Sequence, residues 1–289
     1  MKRFLFAVLL AASLGANAQF GGFDIGKALD IGRKVADAQK TSEMTQEQEI
    51  ALGEALTASF LGASPLHPDA NLQRYVNRVG KWLALHSDRP DLPWTFGVID
   101  TETINAFAMP GGDVIISSGL LKRLSSESEL AGVLSHEIAH VVKKHQVQAI
   151  QSAAQGDLAA SIGKDLASDA IARRGGGVAG QMAKQFGANL AADLIKNGFF
   201  LRPLDRSMEY EADQLGIVIA TRSGYDPYGL VSALEMLAQY KGGGDAASVF
   251  STHPPATDRI AELEKFLPVV DRYASQPQLE GRFRQVVKQ

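Results

Sequence analysis

The chain has 289 residues, of which 45% are hydrophobic, and its formal net charge at pH 7 is −3. Such a mildly acidic balance argues against nucleic acid as a partner, because phosphate backbones are bound by clustered Lys and Arg. The absence of cysteine excludes disulfides, a thiolate metal site and a lipidated N-terminal cysteine. This length and apolar content suffice for one large domain or two small ones.

The first 18 residues have the three parts of a secretory signal. Lys2 and Arg3 precede an apolar run, and Ala16-Asn17-Ala18 provides the small side chains of a cleavage site. We therefore predict cleavage after Ala18 and a periplasmic location; the alternative is an uncleaved anchor. No later segment has the length and apolarity of a transmembrane helix, so none is expected in the mature chain.

After the signal, residues 19–44 are predicted to form an N-terminal arm and residues 45–268 a single, mainly helical α+β domain. Apolar residues at helical spacing predict helices over Thr45–Leu61 and Asp69–His86. Residues 269–289 are predicted to be a C-terminal tail.

Two strands are predicted next, Pro93–Asp100 and Asp113–Ser117, in a small antiparallel sheet. They are joined through the segment Asn105–Gly112. A free strand edge can pair with an extended peptide by main-chain hydrogen bonds. We therefore predict that this edge binds substrate next to the metal helix; the alternative is an ordinary turn between core strands. The candidate substrate-binding residues are Asn105, Ala106, Phe107 and Ala108.

His136-Glu137-Ile138-Ala139-His140 has the form of a metal-binding helix that carries its own base. On an α-helix the two histidines stand about 40° apart on one face, so that both can hold one ion. Glu137 lies beside that ion and can accept a proton from the attacking water. The pattern is short enough to arise by chance, and the alternative is a core helix with two satisfied histidines. Ser126 with Glu129 predicts a capping box at its start.

Zinc with two histidines still needs a protein ligand, since catalytic zinc usually has three. His145 is about half a turn off the face of His136, so we do not expect it to bind the ion from the same helix. Glu209 and Asp213 lie one turn apart on a later predicted helix, whereas Glu211 points elsewhere. One acid can be the ligand while the other orients a histidine, and spacing leaves open which.

The segment between these motifs, residues 146–205, is rich in Ala, Gly and Ser. It is predicted to be a mobile flap over the cleft; an ordinary solvated insertion is the alternative.

Several motifs together resemble the zinc metallopeptidases of family 48, which include CAAX prenyl proteases, HtpX, the Oma proteases, and periplasmic BepA and LoiP. The resemblance covers roughly residues 45–268. The motifs that carry it are Asn105–Gly112, Gly119-Leu120-Leu121, Glu129-Leu130-Ala131, His136–His140, Glu209–Asp213 and His253-Pro254 with Arg259.

The resemblance implies a gluzincin fold with one zinc ion held by His136, His140 and Glu209. It also implies that Glu137 is the general base. By the same resemblance, Asp213 orients a histidine ligand from outside the zinc site, and His253 sits over the zinc as a switch or transition-state residue. Arg259 is implied to lie close to Glu209. The chain has neither the spanning helices nor the cysteine of other members, so we expect a single-domain periplasmic form.

The favoured hypothesis is a zinc endopeptidase that cleaves unfolded or misassembled envelope proteins. A protein donor usually stabilises the oxyanion in such a reaction, and the candidates are His253, Tyr225 and Tyr228. If His253 binds zinc instead, the enzyme is latent. The alternatives are a chaperone-like factor that works with outer-membrane assembly machinery and has a latent zinc site, and a secreted metal-binding module without catalysis.

Overall fold

The computed structural model describes residues 44–152, 204–240 and 253–287. The predicted signal peptide, nearly all of the predicted N-terminal arm and residues 153–203 of the predicted flap lie outside these ranges. Within the part of the chain that is described, no helix is both long enough and apolar enough to cross a bilayer.

Both predicted N-terminal helices are present. Helix α1 spans Gln46–Ala63 and begins at a capping box between Thr45 and Gln48. Helix α2 spans Ala70–Ala84, and the Asp69 carboxylate accepts hydrogen bonds from the first amides of its opening turn. The apolar face of α2 is buried against strand β1 of the sheet, so this helix supports the sheet from one side.

The sheet is mixed and not purely antiparallel, which corrects the prediction. Its strands are β1 (Thr95–Ile99), β2 (Ala106–Ala108) and β3 (Asp113–Ser117), in the order β1-β3-β2. β1 runs parallel to β3, whereas β2 is antiparallel to it. The reason is the extra strand β2 in the predicted connection, which places β1 on the far side of β3. Gly111 and Gly112, with φ of 84° and 119°, make the tight turn between β2 and β3.

A short helix, α3 (Ser118–Leu121), leads from the sheet to α4 (Glu127–Val142), the helix of the His136 motif. The Ser126 hydroxyl accepts a hydrogen bond from the Glu129 amide, as predicted. The Glu129 carboxylate accepts from the amide of Ser125 instead of closing the reciprocal box on Ser126. α4 is buried along nearly its whole length, so it forms the centre of the domain.

Two later helices pack on α4 and frame the site. They are α5 (Arg206–Arg222) and α6 (Gly229–Gln239). Close packing of α5 on α4 depends on Gly216, because a Cβ there would lie 2.9 Å from the His136 amide nitrogen. The backbone of α5 therefore touches α4 at the level of the first histidine.

Ion pairs of two buried carboxylates hold both ends of α4. Glu127, in its first turn, is fully buried and accepts hydrogen bonds from the hydroxyl groups of Tyr75 and Tyr225 and from the Arg282 guanidinium. At the other end, Arg89 donates to both carboxylate oxygens of buried Glu49 and to the Val141 carbonyl oxygen. α4 is thereby fixed in position at its first and last turns.

The C-terminal part of the domain contains α7 (Ala256–Leu263), 3-10 turns at Leu267–Val269 and Asp271–Tyr273, and α8 (Glu280–Val287). The segment predicted as a tail therefore includes a helix. Phe283 of α8 is fully buried in the main core, next to the Arg282 contact with α4. Residues 145–152, where the predicted flap begins, are helical too.

Candidate active site

His136 and His140 lie one above the other on the same face of α4, as the spacing predicts. Their Nε2 atoms are 3.0 Å apart and their ring planes are nearly perpendicular. Both side chains are almost completely buried. Burial, together with the neighbouring His136, holds the pKa of His140 well below its usual value, which keeps that ring neutral and able to bind a metal.

Glu209 reaches the same point from the first turn of α5. Its two carboxylate oxygens lie 3.7 Å from Nε2 of His136 and 3.6 Å from Nε2 of His140. Burial alone would raise the pKa of this carboxyl, but the imidazoles of His253, His140 and His136 hold it well below its usual range. Glu209 is therefore ionised. Of the two acids that the spacing left open, it is the one that faces both rings.

The donor atoms fit a metal ion. Oε1 of Glu209 is buried and has no hydrogen-bond partner among the described residues. A buried carboxylate oxygen is costly to leave without a partner, and an ion between the rings would satisfy it. One donor atom from each of His136, His140, Glu209 and His253 lies within 4.8 Å of the others. Two imidazoles and one carboxylate are a ligand set typical of catalytic zinc.

His253 closes the remaining side of this cluster. Its Nδ1 atom is 2.7 Å from Oε2 of Glu209, and its ring centroid is 5.6 Å from that of His136. Burial alone would lower the pKa of His253, but the Glu209 carboxylate raises it above its usual value. The side chain is 14% exposed, which makes it the most accessible member of the cluster.

Asp213 lies one turn after Glu209 and fixes the orientation of His136. Its Oδ1 atom is 2.9 Å from Nδ1 of His136, so the Nε2 atom of that ring faces Glu209. Arg259 donates to both oxygens of Asp213. Burial would raise the pKa of Asp213, but Arg259 and His136 hold it well below its usual range. Arg259 Nη2 also lies 3.2 Å from Nδ1 of His136, so Arg259 contacts both Asp213 and the ring that Asp213 orients.

Glu137 is buried beside the cluster and lines a small cavity with His136 and His253. Burial raises its pKa, and the partial opposing effect of His136 and His253 does not cancel that rise. A carboxylate with a raised pKa is a better proton acceptor near neutral pH than an exposed one. The position of Glu137 in the cavity wall and its raised pKa suit a proton acceptor beside the cluster.

The cavity, about 40 Å³ in volume, joins the site to the sheet. Asn105, just before β2, and Ala106, its first residue, line it together with an apolar wall that includes Val133, Leu230, Ala233, Leu234 and Leu237. β2 is an edge strand of the described sheet and packs against α4. Phe107 and Ala108 do not line the cavity, and the ring of Phe107 instead packs 5.0 Å from that of Phe60.

The two tyrosines considered as oxyanion donors are bound elsewhere. The Tyr225 hydroxyl donates to Glu127 at 2.8 Å, and the Tyr228 hydroxyl bonds the carboxylate of Asp271. Neither lines the cavity. Only His253 of the three candidates lies at the cluster, which corrects the suggestion of Tyr225 and Tyr228.

Sequence reasoning missed a contact of His145. This side chain does not join the four-residue cluster, as expected, but its Nδ1 atom lies 2.9 Å from Nδ1 of His140. Glu211, which spacing alone directs away from Glu209, meets Nε2 of His145 at 3.2 Å. The sequence did offer a signal for this contact. His145 follows soon after the predicted His136–His140 helix, and Glu211, to which no role was given, lies two residues after Glu209.

Comparison of the sequence with known proteins shows the family of this chain. The model of peptidase family M48 matches residues 70–267, which include the whole cluster. The chain is 30% identical over 267 residues to the beta-barrel assembly-enhancing protease of Escherichia coli K12, an alignment that covers 91% of this chain and 52% of that protein. It is 33% identical over 195 residues to the mitochondrial metalloendopeptidase OMA1 of Schizosaccharomyces pombe, covering 67% and 52%.

A third relative has a similar length. The metalloprotease YcaL of Escherichia coli K12 is 28% identical over 275 residues, which cover 94% of this chain and 98% of that protein. The chain spans about half the length of the first two relatives. These matches confirm the resemblance drawn from the motifs and, at the level of the family, the prediction of a metallopeptidase.

Proposed function

Because this chain belongs to peptidase family M48, we propose that it is a zinc-dependent endopeptidase that hydrolyses peptide bonds of unfolded or misassembled proteins of the cell envelope. The observation that carries the proposal is the meeting of His136, His140 and Glu209 with an unpartnered Glu209 oxygen between them. The envelope location rests on the predicted signal at residues 1–18, and the name of the beta-barrel assembly-enhancing protease supports it.

The roles of the side chains follow from their positions. His136, His140 and Glu209 would hold zinc, with Asp213 and Arg259 fixing the first ring. When bound there, zinc supplies Lewis acidity that activates water and polarises a peptide carbonyl. Glu137 accepts the proton of the attacking water and passes it to the leaving amine.

Edge strand β2 would position the substrate. The edge of β2 that does not face β3 in the described sheet could pair with an extended peptide through main-chain groups, which recognise backbone and not side chains. This mode of binding suits unfolded chains of varied sequence. The apolar wall of the cavity that Ala106 lines favours a substrate with an apolar side chain next to the scissile bond.

The test is Glu137→Gln, which keeps the shape of the side chain and removes the proton acceptor. The purified variant should contain as much zinc as the wild type but fail to cleave a casein-type unfolded protein. Wild-type cleavage should also stop with a chelator and return with zinc. The matched control is Glu235→Gln on the exposed face of α6, which should cleave normally. Cleavage by Glu137→Gln would refute the proposal.

One observation favours a second function. His253 lies within the cluster, so that four side chains, not three, surround the metal position. A site closed by four protein ligands is structural or latent. A chaperone-like outer-membrane assembly factor would then need no catalysis, and Glu137→Gln would complement a deletion strain as well as the wild type does. Failure to complement supports the endopeptidase.

A further inference from the structure

The contact between His145 and His140 results from a break in the helix. α4 ends at Val142, and Lys144 has φ of 57°, in the left-handed region that side chains other than glycine rarely adopt. The turn at Lys144 redirects the chain, and a new helical segment follows. His145 therefore returns to the side of His140, although continued helical spacing would place it about half a turn away.

Hydrogen-bond chemistry permits one assignment of protons along this contact. Nε2 of His140 faces Glu209, and a histidine that binds a metal through Nε2 carries its proton on Nδ1. That Nδ1–H then donates to Nδ1 of His145 across 2.9 Å. His145 carries its own proton on Nε2, where Oε2 of Glu211 accepts it at 3.2 Å. Each nitrogen of both rings thus has a defined role.

The surroundings keep this arrangement in place. His145 is 1% exposed, as is His140, so water does not compete for the contact between the rings. Glu211 is about half-exposed, and the Lys143 ammonium holds it by a salt bridge of 2.6 Å. His140 is thereby oriented through Nδ1, as His136 is oriented by Asp213. The two ligand histidines use different partners for the same purpose.

We propose that His145, itself held by Glu211, is a positioning residue that fixes the tautomer and ring orientation of His140 and so sets the affinity of the site for zinc. The proposal rests on the proposed function, since it assumes that His136, His140 and Glu209 bind the metal. His145 would contact neither the metal nor the substrate. Loss of such an outer partner typically weakens metal binding about tenfold to a hundredfold.

The test measures the zinc dissociation constant by competition with a chelating indicator, with every variant made in the Glu137→Gln background. His145→Leu, which keeps the bulk and removes the acceptor, should raise the constant by about tenfold to a hundredfold. His145→Asn places an amide oxygen near the position of Nδ1 and should restore most of the affinity. Glu211→Ala should cause a smaller loss in the same direction, and Glu235→Ala none.

Glu211 is about half-exposed, so Glu211→Ala should fold. If His145→Leu does not fold, the zinc dissociation constant of Glu211→Ala decides whether the proposal holds. An unchanged constant in His145→Leu and Glu211→Ala would overturn the proposal. So would long-range ¹H–¹⁵N spectra of the zinc-loaded protein that place the His145 proton on Nδ1. If Glu137→Gln itself cleaves protein, the proposed function fails, whereas the zinc measurements still decide the role of His145.

Discussion

Nδ1 of His253 lies 2.7 Å from Oε2 of Glu209, so a residue from the start of the C-terminal segment touches the carboxylate that faces both rings. Under the proposed function, a substrate carbonyl would need the side of the cluster that His253 fills. We therefore predict that His253→Ala keeps zinc and cleaves a short unstructured peptide several-fold faster than the wild type, because the site is open. Peptide cleavage and metal content of the same preparation are measured together.

The opposite result has a distinct meaning. If His253 donates to the oxyanion, His253→Ala lowers kcat by about a hundredfold to a thousandfold and leaves KM nearly unchanged. That outcome would contradict latency and assign a catalytic role to this histidine.

Gly216 sets the distance between α5 and α4. A Cβ at this position would lie within 3.0 Å of backbone atoms of His136, so Gly216→Ala must push the two helices apart. We expect a loss of about 1–3 kcal/mol in the free energy of unfolding. Weaker zinc binding should accompany it, since α5 carries Glu209. Gly62→Ala, in open space on α1, is the control and should be neutral or stabilising. Equal effects of the two substitutions would contradict this account.

Arg282 pairs with the buried Glu127 at the start of α4. Arg282→Ala leaves that carboxylate with its two tyrosine partners only, and we expect a loss of about 1–3 kcal/mol in chemical denaturation. Arg284→Ala removes an exposed pair with Glu280 on the same helix and should cost no more than about 0.5 kcal/mol. Similar losses for both variants would show that α8 contributes by helix formation and not by the pair of Arg282 with the buried Glu127 carboxylate.

Tyr75 and Tyr225 donate to Glu127, and we expect these two tyrosines to make the free energy of unfolding decrease at alkaline pH. Burial and the Glu127 carboxylate hold the pKa of Tyr75 and Tyr225 well above the usual value. A tyrosine in the unfolded chain loses its proton near pH 10. The stability that the raised pKa of Tyr75 and Tyr225 provides is therefore complete below about pH 10, and it is lost as the pH rises through their pKa in the folded protein. Each tyrosine adds a downward slope of up to about 1.4 kcal/mol per pH unit.

Denaturant titrations of the zinc-free protein between about pH 9 and about pH 11 measure this slope. Tyr225→Phe should reduce it, although the variant is less stable at neutral pH. Tyr273→Phe, on the partly exposed 3-10 turn, should leave the slope unchanged. An identical slope in wild type and Tyr225→Phe would disprove the link to Glu127.

The parts of the site that sequence predicts are those that depend on local geometry. Helical spacing alone places His136 and His140 on one face of their helix, and the structure has them so in α4. The same spacing places Glu209 and Asp213 on one face of a later helix, which is α5. β2 was missed because a strand of three residues is defined by its pairing with β3, a tertiary interaction. Likewise, no periodic pattern signals the left-handed Lys144, and without it His145 cannot be placed.

Tyr225 illustrates a different limit. Its residue type made it a candidate oxyanion donor, yet its hydroxyl donates to Glu127 in the first turn of α4. Which buried acid a tyrosine meets depends on how α5 and α2 pack against α4. That packing is set by close contacts such as Gly216 on His136, which appear in no pattern of hydrophobic residues.

The order in which the proposed metal ligands occur along the chain has a consequence for biosynthesis. His136, Glu137 and His140 are made early, whereas Glu209 and His253 follow much later, and Arg282 braces α4 from the last described helix. A ribosome-bound intermediate that ends before Glu209 has the histidine pair but not the acid. Under the proposed function, such a fragment would lack part of the zinc site and would not cleave neighbouring nascent proteins before the second half folds onto the first.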